Sequence, residues 1–136
     1  MNKRVKSIMV ILVLVFIVGW IFFSSYKTQH LRDNFKITTG KVTGITGTSY
    51  RNNNRSIFYD YEIDGMLFHG ENNLAPCIKM TGQELRLLLV NQDFPVAYDV
   101  SDYNKSEIIL RHREAEFYKY QIPVARKSID SILSCD

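Results

Sequence analysis

The sequence predicts an α+β protein in which an N-terminal transmembrane helix precedes a small, mainly antiparallel, β-rich domain of about five strands and one or two short helices. The stretch Ser7–Tyr26 is apolar and uncharged, and Lys6 and Lys27 flank it. Short runs of alternating apolar and polar residues follow, as is typical of half-buried strands. The residues after position 27 are enough for one compact domain and too few for two. The predicted organisation is a basic tail (1–6), a transmembrane helix (7–26), a juxtamembrane linker (27–34) and a soluble β-rich domain (35–136).

The apolar stretch Ser7–Tyr26 has the length of a membrane-spanning helix. Its twenty residues, at about 1.5 Å each, span the roughly 30 Å of a hydrocarbon core. Aromatic residues stand where a signal-peptide cleavage site requires a small residue, which favours an uncleaved signal anchor. The lipid bilayer is therefore an expected partner, and the cell membrane is the expected location.

Basic residues surround the apolar stretch. Lys3, Arg4 and Lys6 precede it, which predicts a cytoplasmic N-terminus and an extracytoplasmic C-terminal domain. Basic residues just after the stretch nearly balance them, so the opposite orientation stays open. Four of the 17 basic residues precede residue 28, and the remaining 13 nearly balance the 14 acidic ones. The absence of a clustered basic patch in the sequence argues against a nucleic-acid partner.

The first strands surround a loop and a tight turn. Phe35–Thr48 is rich in Thr, Val and Ile, which favour strands. Tyr50–Arg55 contains three consecutive asparagines and predicts a loop. Ser56–Gly70 alternates on both sides of Asp64-Gly65, a preferred two-residue hairpin turn. We therefore expect an antiparallel hairpin here.

The hairpin turn also predicts which residues face each other. One face is apolar and should face the core, with Ile57 and the pairs Ile63 with Met66, Tyr61 with Phe68 and Tyr59 with Gly70. The other face pairs Glu62 with Leu67 and Asp60 with His69. A slip of one residue would bury Asp60 and Glu62, so the register is well specified.

The second half of the chain alternates helices and strands. Thr81 and Glu84 form a capping-box pattern that predicts a helix over Gly82–Val90 after a loop over Glu71–Met80. Phe94–Val100 predicts a strand with alternate residues (Phe94, Val96, Tyr98 and Val100) pointing inward. A turn over Ser101–Lys105, a strand over Ser106–Arg111, a short helix over His112–Gln121 and a final helix over Val124–Leu133 complete the prediction.

Four short motifs occur in the order seen in a known family. They are Thr39-Gly40-Lys41-Val42, the Tyr-x-Tyr-x-Ile-Asp-Gly hairpin over residues 59–65, Thr81-Gly82-Gln83 and Val96-Ala97-Tyr98-Asp99. In this order the chain resembles a family of small single-pass bacterial membrane proteins that are described only as a domain of unknown function. Val100-Ser101-Asp102 departs from the proline-bearing turn of that family. The resemblance implies a small β-rich domain and no established activity.

Asp60, His69 and Cys77 are the candidate catalytic residues. A carboxylate that orients an imidazole is part of a catalytic triad, and the nucleophile would be a nearby Ser, a nearby Thr or Cys77. A solvated cross-strand charge pair and an unreactive loop cysteine explain the same residues more simply. The sequence therefore gives a small hydrolase or thiol-dependent enzyme only as the alternative function.

The two cysteines and three histidines constrain the chemistry further. Cys77 and Cys135 can form a disulfide if the domain lies outside the cell and are expected to stay reduced if it lies inside, so the sequence leaves their disulfide state open. His30, His69 and His112 are far apart in sequence and show no metal-ligand spacing, so no metal and no cofactor is predicted.

The aromatic stretch around residue 118 is the candidate binding surface. Phe117, Tyr118 and Tyr120 are residue types found at protein and membrane interfaces. The alternative is that these rings close an open face of the sheet. The function expected from the sequence is a membrane-anchored, non-enzymatic binding or accessory module that contacts another envelope protein.

Overall fold

A computed structural model of the chain describes residue 9, residues 11–21, residue 31, residues 33–47 and residues 55–134. The strands are β1 (Phe35–Ile45), β2 (Ser56–Ile63), β3 (Met66–Asn73), β4 (Asp93–Asp99) and β5 (Asp102–Ile108). The helices of this domain are α1 (Gly82–Leu89), α2 (His112–Phe117), a short 3₁₀ turn (Val124–Arg126) and α3 (Lys127–Leu133). The β-rich fold predicted from the sequence is confirmed.

The five strands form one antiparallel sheet in the order β3-β2-β1-β4-β5. The sheet curls until β3 and β5 lie side by side, so the domain is nearly a closed barrel. Alternate residues along the strands therefore point into one shared interior. The fully buried residues of this core include Val42, Ile57, Tyr59, Leu85, Leu89, Val96 and Leu133.

Side chains bridge the seam between β3 and β5. The Tyr59 hydroxyl donates a hydrogen bond to Asn72 Oδ1 at 2.7 Å and lies 3.0 Å from Ser106 Oγ. The same Asn72 oxygen accepts a hydrogen bond from the backbone N–H of Ile108 at 2.9 Å. The Tyr61 hydroxyl donates to the carbonyl oxygen of Tyr103. Tyr59 and Asn72 thus join β3 to β5, which are not paired by backbone hydrogen bonds, and Tyr61 joins β2 to β5.

The hairpin of β2 and β3 has the register that the sequence predicts. Ile63 pairs with Met66, Tyr61 with Phe68 and Tyr59 with Gly70. The ring of Tyr59 covers Gly70 so closely that a Cβ at this glycine would lie 2.2 Å from a ring carbon. One expectation is wrong, because Met66 is exposed at the tip of the hairpin. β3 also continues to Asn73, into the segment expected to be a loop.

The predicted capping box starts α1. The Thr81 hydroxyl accepts a hydrogen bond from the Glu84 N–H at 3.2 Å, and the Glu84 carboxylate accepts one from the Thr81 N–H at 2.7 Å. These reciprocal bonds satisfy N–H groups that have no partner inside the helix. The hydrogen bonds from Thr81 lower the pKa of Glu84 below its usual value. Leu85 and Leu89 then lie on the buried face of the helix.

β5 begins earlier than the sequence predicts. The carboxylate of Asp99 is buried and accepts hydrogen bonds from the N–H and hydroxyl of Ser101 at 2.8 and 2.6 Å. Asp99 pairs with Asp102, so two residues suffice for the turn between β4 and β5. Val100 therefore lies in this turn and is exposed, whereas the alternation predicted that it points inward.

The predicted transmembrane helix is the part of the fold class that is wrong. Residues 11–21 are helical. No helix among the described residues is long and apolar enough to cross a membrane. Residues 7, 8, 10 and 22–26 of the predicted span lie outside the described residues. The corrected fold class is a five-stranded antiparallel near-barrel with a few short helices.

Candidate binding groove

The Asp60–His69 pair forms as the hairpin register predicts. His69 Nδ1 lies 2.6 Å from Asp60 Oδ1, and the two residues are cross-strand partners. The His69 side chain is 75% exposed. Among the described residues, no hydroxyl or thiol forms a hydrogen bond with the His69 ring. The pair thus has the geometry of a solvated surface hydrogen bond, and the His69 ring has no hydrogen-bonded nucleophile in the described part of the chain.

Cys77 is disulfide-bonded. The sequence has one other cysteine, Cys135, which lies outside the described residues. The loop that carries Cys77 is fixed by the buried Arg55, whose guanidinium donates to the carbonyl oxygens of Ile78 and Met80. A sulfur held in a disulfide is not a nucleophilic thiolate. The predicted role of Cys77 in catalysis therefore requires prior reduction.

The three aromatic candidates do not form one exposed surface. Tyr118 is only 2% exposed, and its hydroxyl donates to Glu107 Oε2 at 2.5 Å. Its ring packs edge-on against Phe35 in a small second core on the outer side of β4. Tyr120 is partly buried beside this cluster, while Phe117 is 40% exposed. Two of the three rings therefore cover the sheet.

A small cavity with a mixed polar and apolar lining lies beneath the ends of β3 and β5. Its volume is about 70 Å³, enough for a few water molecules. The carboxylate of Glu114 lies in its wall, where it accepts hydrogen bonds from the backbone N–H and guanidinium of Arg111. Within the described ranges, no three His, Cys, Asp or Glu side chains come together as a metal site. This cavity is too small for an organic ligand.

An open groove of about 550 Å³ lies between α1 and the end of β1. On one side, β1 bulges between Val42 and Gly44, where its register with β2 shifts. On the other side lies the exposed face of α1 and the turn that follows it. The residues that line the groove are Thr43, Gly44, Ile45, Gln83, Arg86, Leu87, Val90 and Asn91. We call this feature the α1–β1 groove.

Backbone hydrogen bonds hold the two walls of the groove together. The N–H of Asn91 donates to the carbonyl oxygen of Val42 at 2.8 Å, and the N–H of Val42 donates to the carbonyl of Gln92 at 3.0 Å. Asn91 has a φ of 64°, in the left-handed region, which turns the chain sharply after α1. The groove is thus fixed by the framework of the domain.

Arg86 connects the two walls directly. Its guanidinium donates two hydrogen bonds to the carbonyl oxygen of Ile45, from Nε at 3.1 Å and from Nη2 at 2.9 Å. Arg86 is the only charged residue that lines the groove within the described part of the chain. The groove therefore carries a localised positive charge whose position is fixed by a backbone contact.

Leu87 is the most exposed large apolar side chain among the described residues, at 81%. It lies on the face of α1 opposite the core residues Leu85 and Leu89, where polar residues are expected. Sequence reasoning did not select the groove, because residues of β1 and α1 are about forty positions apart and nothing in the sequence pairs them. Leu87 itself was a usable signal, since it breaks the polar face of α1.

Comparisons of the chain with protein-family models, with curated proteins and with solved structures find no match. The resemblance to a family of small bacterial membrane proteins consequently stays a prediction.

Proposed function

We propose that the chain is a non-enzymatic binding module that contacts another protein through the α1–β1 groove. The observation that carries this proposal is the exposure of Leu87 beside a fixed, open groove of about 550 Å³. This volume lies within the usual range for ligand pockets, about 300–1,000 Å³. Leu87 and the half-buried Val90 line the groove beside Arg86, and the buried cores of protein interfaces are enriched in apolar residues and in arginine.

The composition of the groove favours binding over catalysis. Catalytic sites bring together ionisable groups that exchange protons or attack a substrate. The described residues that line the groove include one guanidinium and no carboxylate, imidazole or thiol. Arg86 is well suited to hold an anionic or carbonyl group and poorly suited to act as a general base.

We further propose that the module works in the cell envelope, at the surface of a lipid bilayer. Disulfides persist in oxidising compartments, so the disulfide-bonded Cys77 supports an extracytoplasmic location. Residues 11–21 are apolar or glycine, and every one of them is exposed, which supports contact with lipid. The envelope location and the protein contact are separate proposals, and each has its own test.

A photo-reactive amino acid in place of Gln83 tests whether the groove contacts another protein. Irradiation of the full-length protein in its native membranes, followed by mass spectrometry, should capture one reproducible partner protein. The Leu87→Ser variant should lose this product, and Val124→Ser should keep it, because Val124 is equally exposed (79%) but lies away from the groove. Capture of no other protein, or equal capture by both variants, would contradict the proposal.

Flotation with liposomes tests the lipid contact. The full-length chain should float with vesicles of mixed zwitterionic and anionic lipids. A lysine in the apolar stretch, Leu14→Lys, should weaken flotation, since a charge in hydrocarbon is costly. Leu87→Lys adds the same charge at an exposed apolar position of the domain and should float normally. Equal flotation of both variants would overturn lipid contact through residues 11–21.

A further inference from the structure

We infer that the α1–β1 groove takes a peptide segment of the partner that presents a carboxylate next to an apolar side chain. This inference rests on the proposed function, since it specifies the partner chemistry of the same groove. The expected occupant of the groove is a peptide with one acidic and one apolar side chain close together. A second copy of the chain, a segment of the same chain and a neutral peptide become outcomes of the test.

The position of Arg86 favours a carboxylate as the group of the peptide that binds there. A guanidinium has five N–H donors in a planar fork. The bonds to the Ile45 carbonyl use Nε and Nη2, and Nη1 makes no hydrogen bond to any described residue. The contact with Ile45 also restricts the side chain, so less conformational entropy is lost when an anion binds. A carboxylate is the protein group whose geometry best matches the remaining donors.

The balance of charge in the groove supports an anion over a neutral ligand. No carboxylate lines the groove to neutralise Arg86 within the described residues. The closest acidic residue along α1 is Glu84, whose carboxylate already accepts bonds from the Thr81 N–H and hydroxyl. The positive charge of Arg86 is therefore available to a partner.

The apolar half of the site consists of Leu87 and Val90. Val90 is the C-cap residue directly after α1 and lies three positions from Leu87 along the chain. Leu87 is almost fully exposed and Val90 is half-buried, and both line the groove. Arg86 and Leu87 are adjacent in sequence. A peptide with a carboxylate close to an apolar side chain can therefore place the carboxylate against Arg86 and the apolar side chain against Leu87.

The openness of the groove favours a peptide over an enclosed small molecule. The groove between α1 and the bulged end of β1 is open to solvent. Small-molecule sites usually bury 70–90% of their ligand. A peptide that lies along the groove keeps most of its backbone in water and inserts only one or two side chains.

The test uses a displayed library of random heptapeptides and the full-length protein in detergent micelles. Peptides that bind the wild-type protein should be enriched in Asp or Glu within two positions of a large apolar residue. An enriched peptide is then synthesised in two forms, with Glu and with Gln. The Glu form should bind about tenfold more tightly, because a charge-assisted hydrogen bond contributes at least about 1.4 kcal/mol.

Two pairs of variants locate the binding site. Arg86→Gln should abolish the difference between the Glu and Gln peptides, whereas Arg113→Gln removes an exposed charge on α2 and should preserve it. Leu87→Ser should weaken both peptides, and Val124→Ser should weaken neither. Denaturation curves of each variant confirm that the fold is retained.

Each remaining outcome contradicts the inference. Equal binding of the Glu and Gln peptides excludes the carboxylate, and enrichment of no peptide excludes a peptide ligand. Binding unaffected by Arg86→Gln and Leu87→Ser places the site elsewhere. If one of these peptide results occurs while the cross-link from Gln83 still captures a partner protein, the inference fails and the proposed function stands. If the cross-link joins two copies or two parts of one chain, both fail.

Discussion

The guanidinium of Arg86 in α1 and the carbonyl oxygen of Ile45 at the end of β1 are joined by two hydrogen bonds. This contact fixes the width of the groove, because it connects the exposed face of the helix to the bulged end of the strand. It also determines where the only charge of the groove lies within the described residues. One side chain thus both supports the fold and shapes the candidate site.

Removal of this contact should cost little stability. We expect Arg86→Gln to lower the free energy of unfolding by about 1 kcal/mol, since a hydrogen bond from an exposed charged group contributes modestly. Urea denaturation of Arg86→Gln and of Arg113→Gln, which removes no such bond, measures the difference. A loss above about 3 kcal/mol would show that Arg86 is a core structural residue and that its variants cannot report on binding.

The disulfide of Cys77 should stabilise the domain. Reduction is expected to lower the free energy of unfolding by about 2–4 kcal/mol, because the cross-link limits the unfolded chain. Urea denaturation with and without dithiothreitol measures this change. Cys77→Ser should match the reduced wild-type protein and should not respond to dithiothreitol. Equal stability of the oxidised and reduced protein would contradict a stabilising disulfide.

The buried tyrosine at the seam predicts a loss of stability at alkaline pH. Burial raises the pKa of the Tyr59 hydroxyl far above its ordinary value of 10.0. In the unfolded chain this group loses its proton near pH 10, while in the folded chain it stays protonated. The contribution of the Tyr59 hydroxyl to the free energy of unfolding is therefore fully present below pH 10 and decreases as the pH rises further.

Tyr59→Phe separates this effect from the hydrogen bond. The variant should be less stable by about 1 kcal/mol at pH 7, because Asn72 and Ser106 lose a partner. Its stability should then fall less steeply than that of the wild-type protein above pH 10. Denaturation curves between pH 7 and pH 11 test both statements. A parallel decline of the two proteins would show that other groups cause the alkaline loss; Tyr61, whose pKa burial also raises, is the first candidate.

Gly70 should tolerate no side chain. A Cβ at this position would lie 2.2 Å from the ring of Tyr59, so Gly70→Ala must displace a core aromatic. We expect a loss of about 1–3 kcal/mol, as for other overpacked sites. Gly44→Ala is the matched control, since nothing lies within 4 Å of its Cβ. Similar thermal midpoints for the two variants would contradict the packing of Tyr59 on Gly70.

Local chemistry explains which parts of the fold the sequence predicts. Asp64-Gly65 determines the turn and with it the register of β2 and β3, including the Asp60–His69 contact. Thr81 and Glu84 are three positions apart and determine the start of α1. In each case the interacting groups are close in sequence or are related by a two-residue turn, so spacing is sufficient.

Contacts between distant segments explain what the sequence does not predict. One missed feature is local: the buried carboxylate of Asp99 accepts hydrogen bonds from Ser101, which shortens the turn and moves the start of β5. Tyr118 is buried because α2 packs on the outer side of β4, a placement that its own sequence does not specify. The α1–β1 groove requires residues of β1 and α1 to meet in space. The predicted membrane span is not found, because no helix of the described residues is long and apolar enough to cross a membrane.

The cross-link from Gln83 is the most direct test of a binding groove between α1 and β1. The wild-type protein and Val124→Ser should capture the same partner protein in equal amounts, and Leu87→Ser should lose most of this product. Equal capture by Leu87→Ser, or the absence of any partner protein, would contradict a protein contact at this groove.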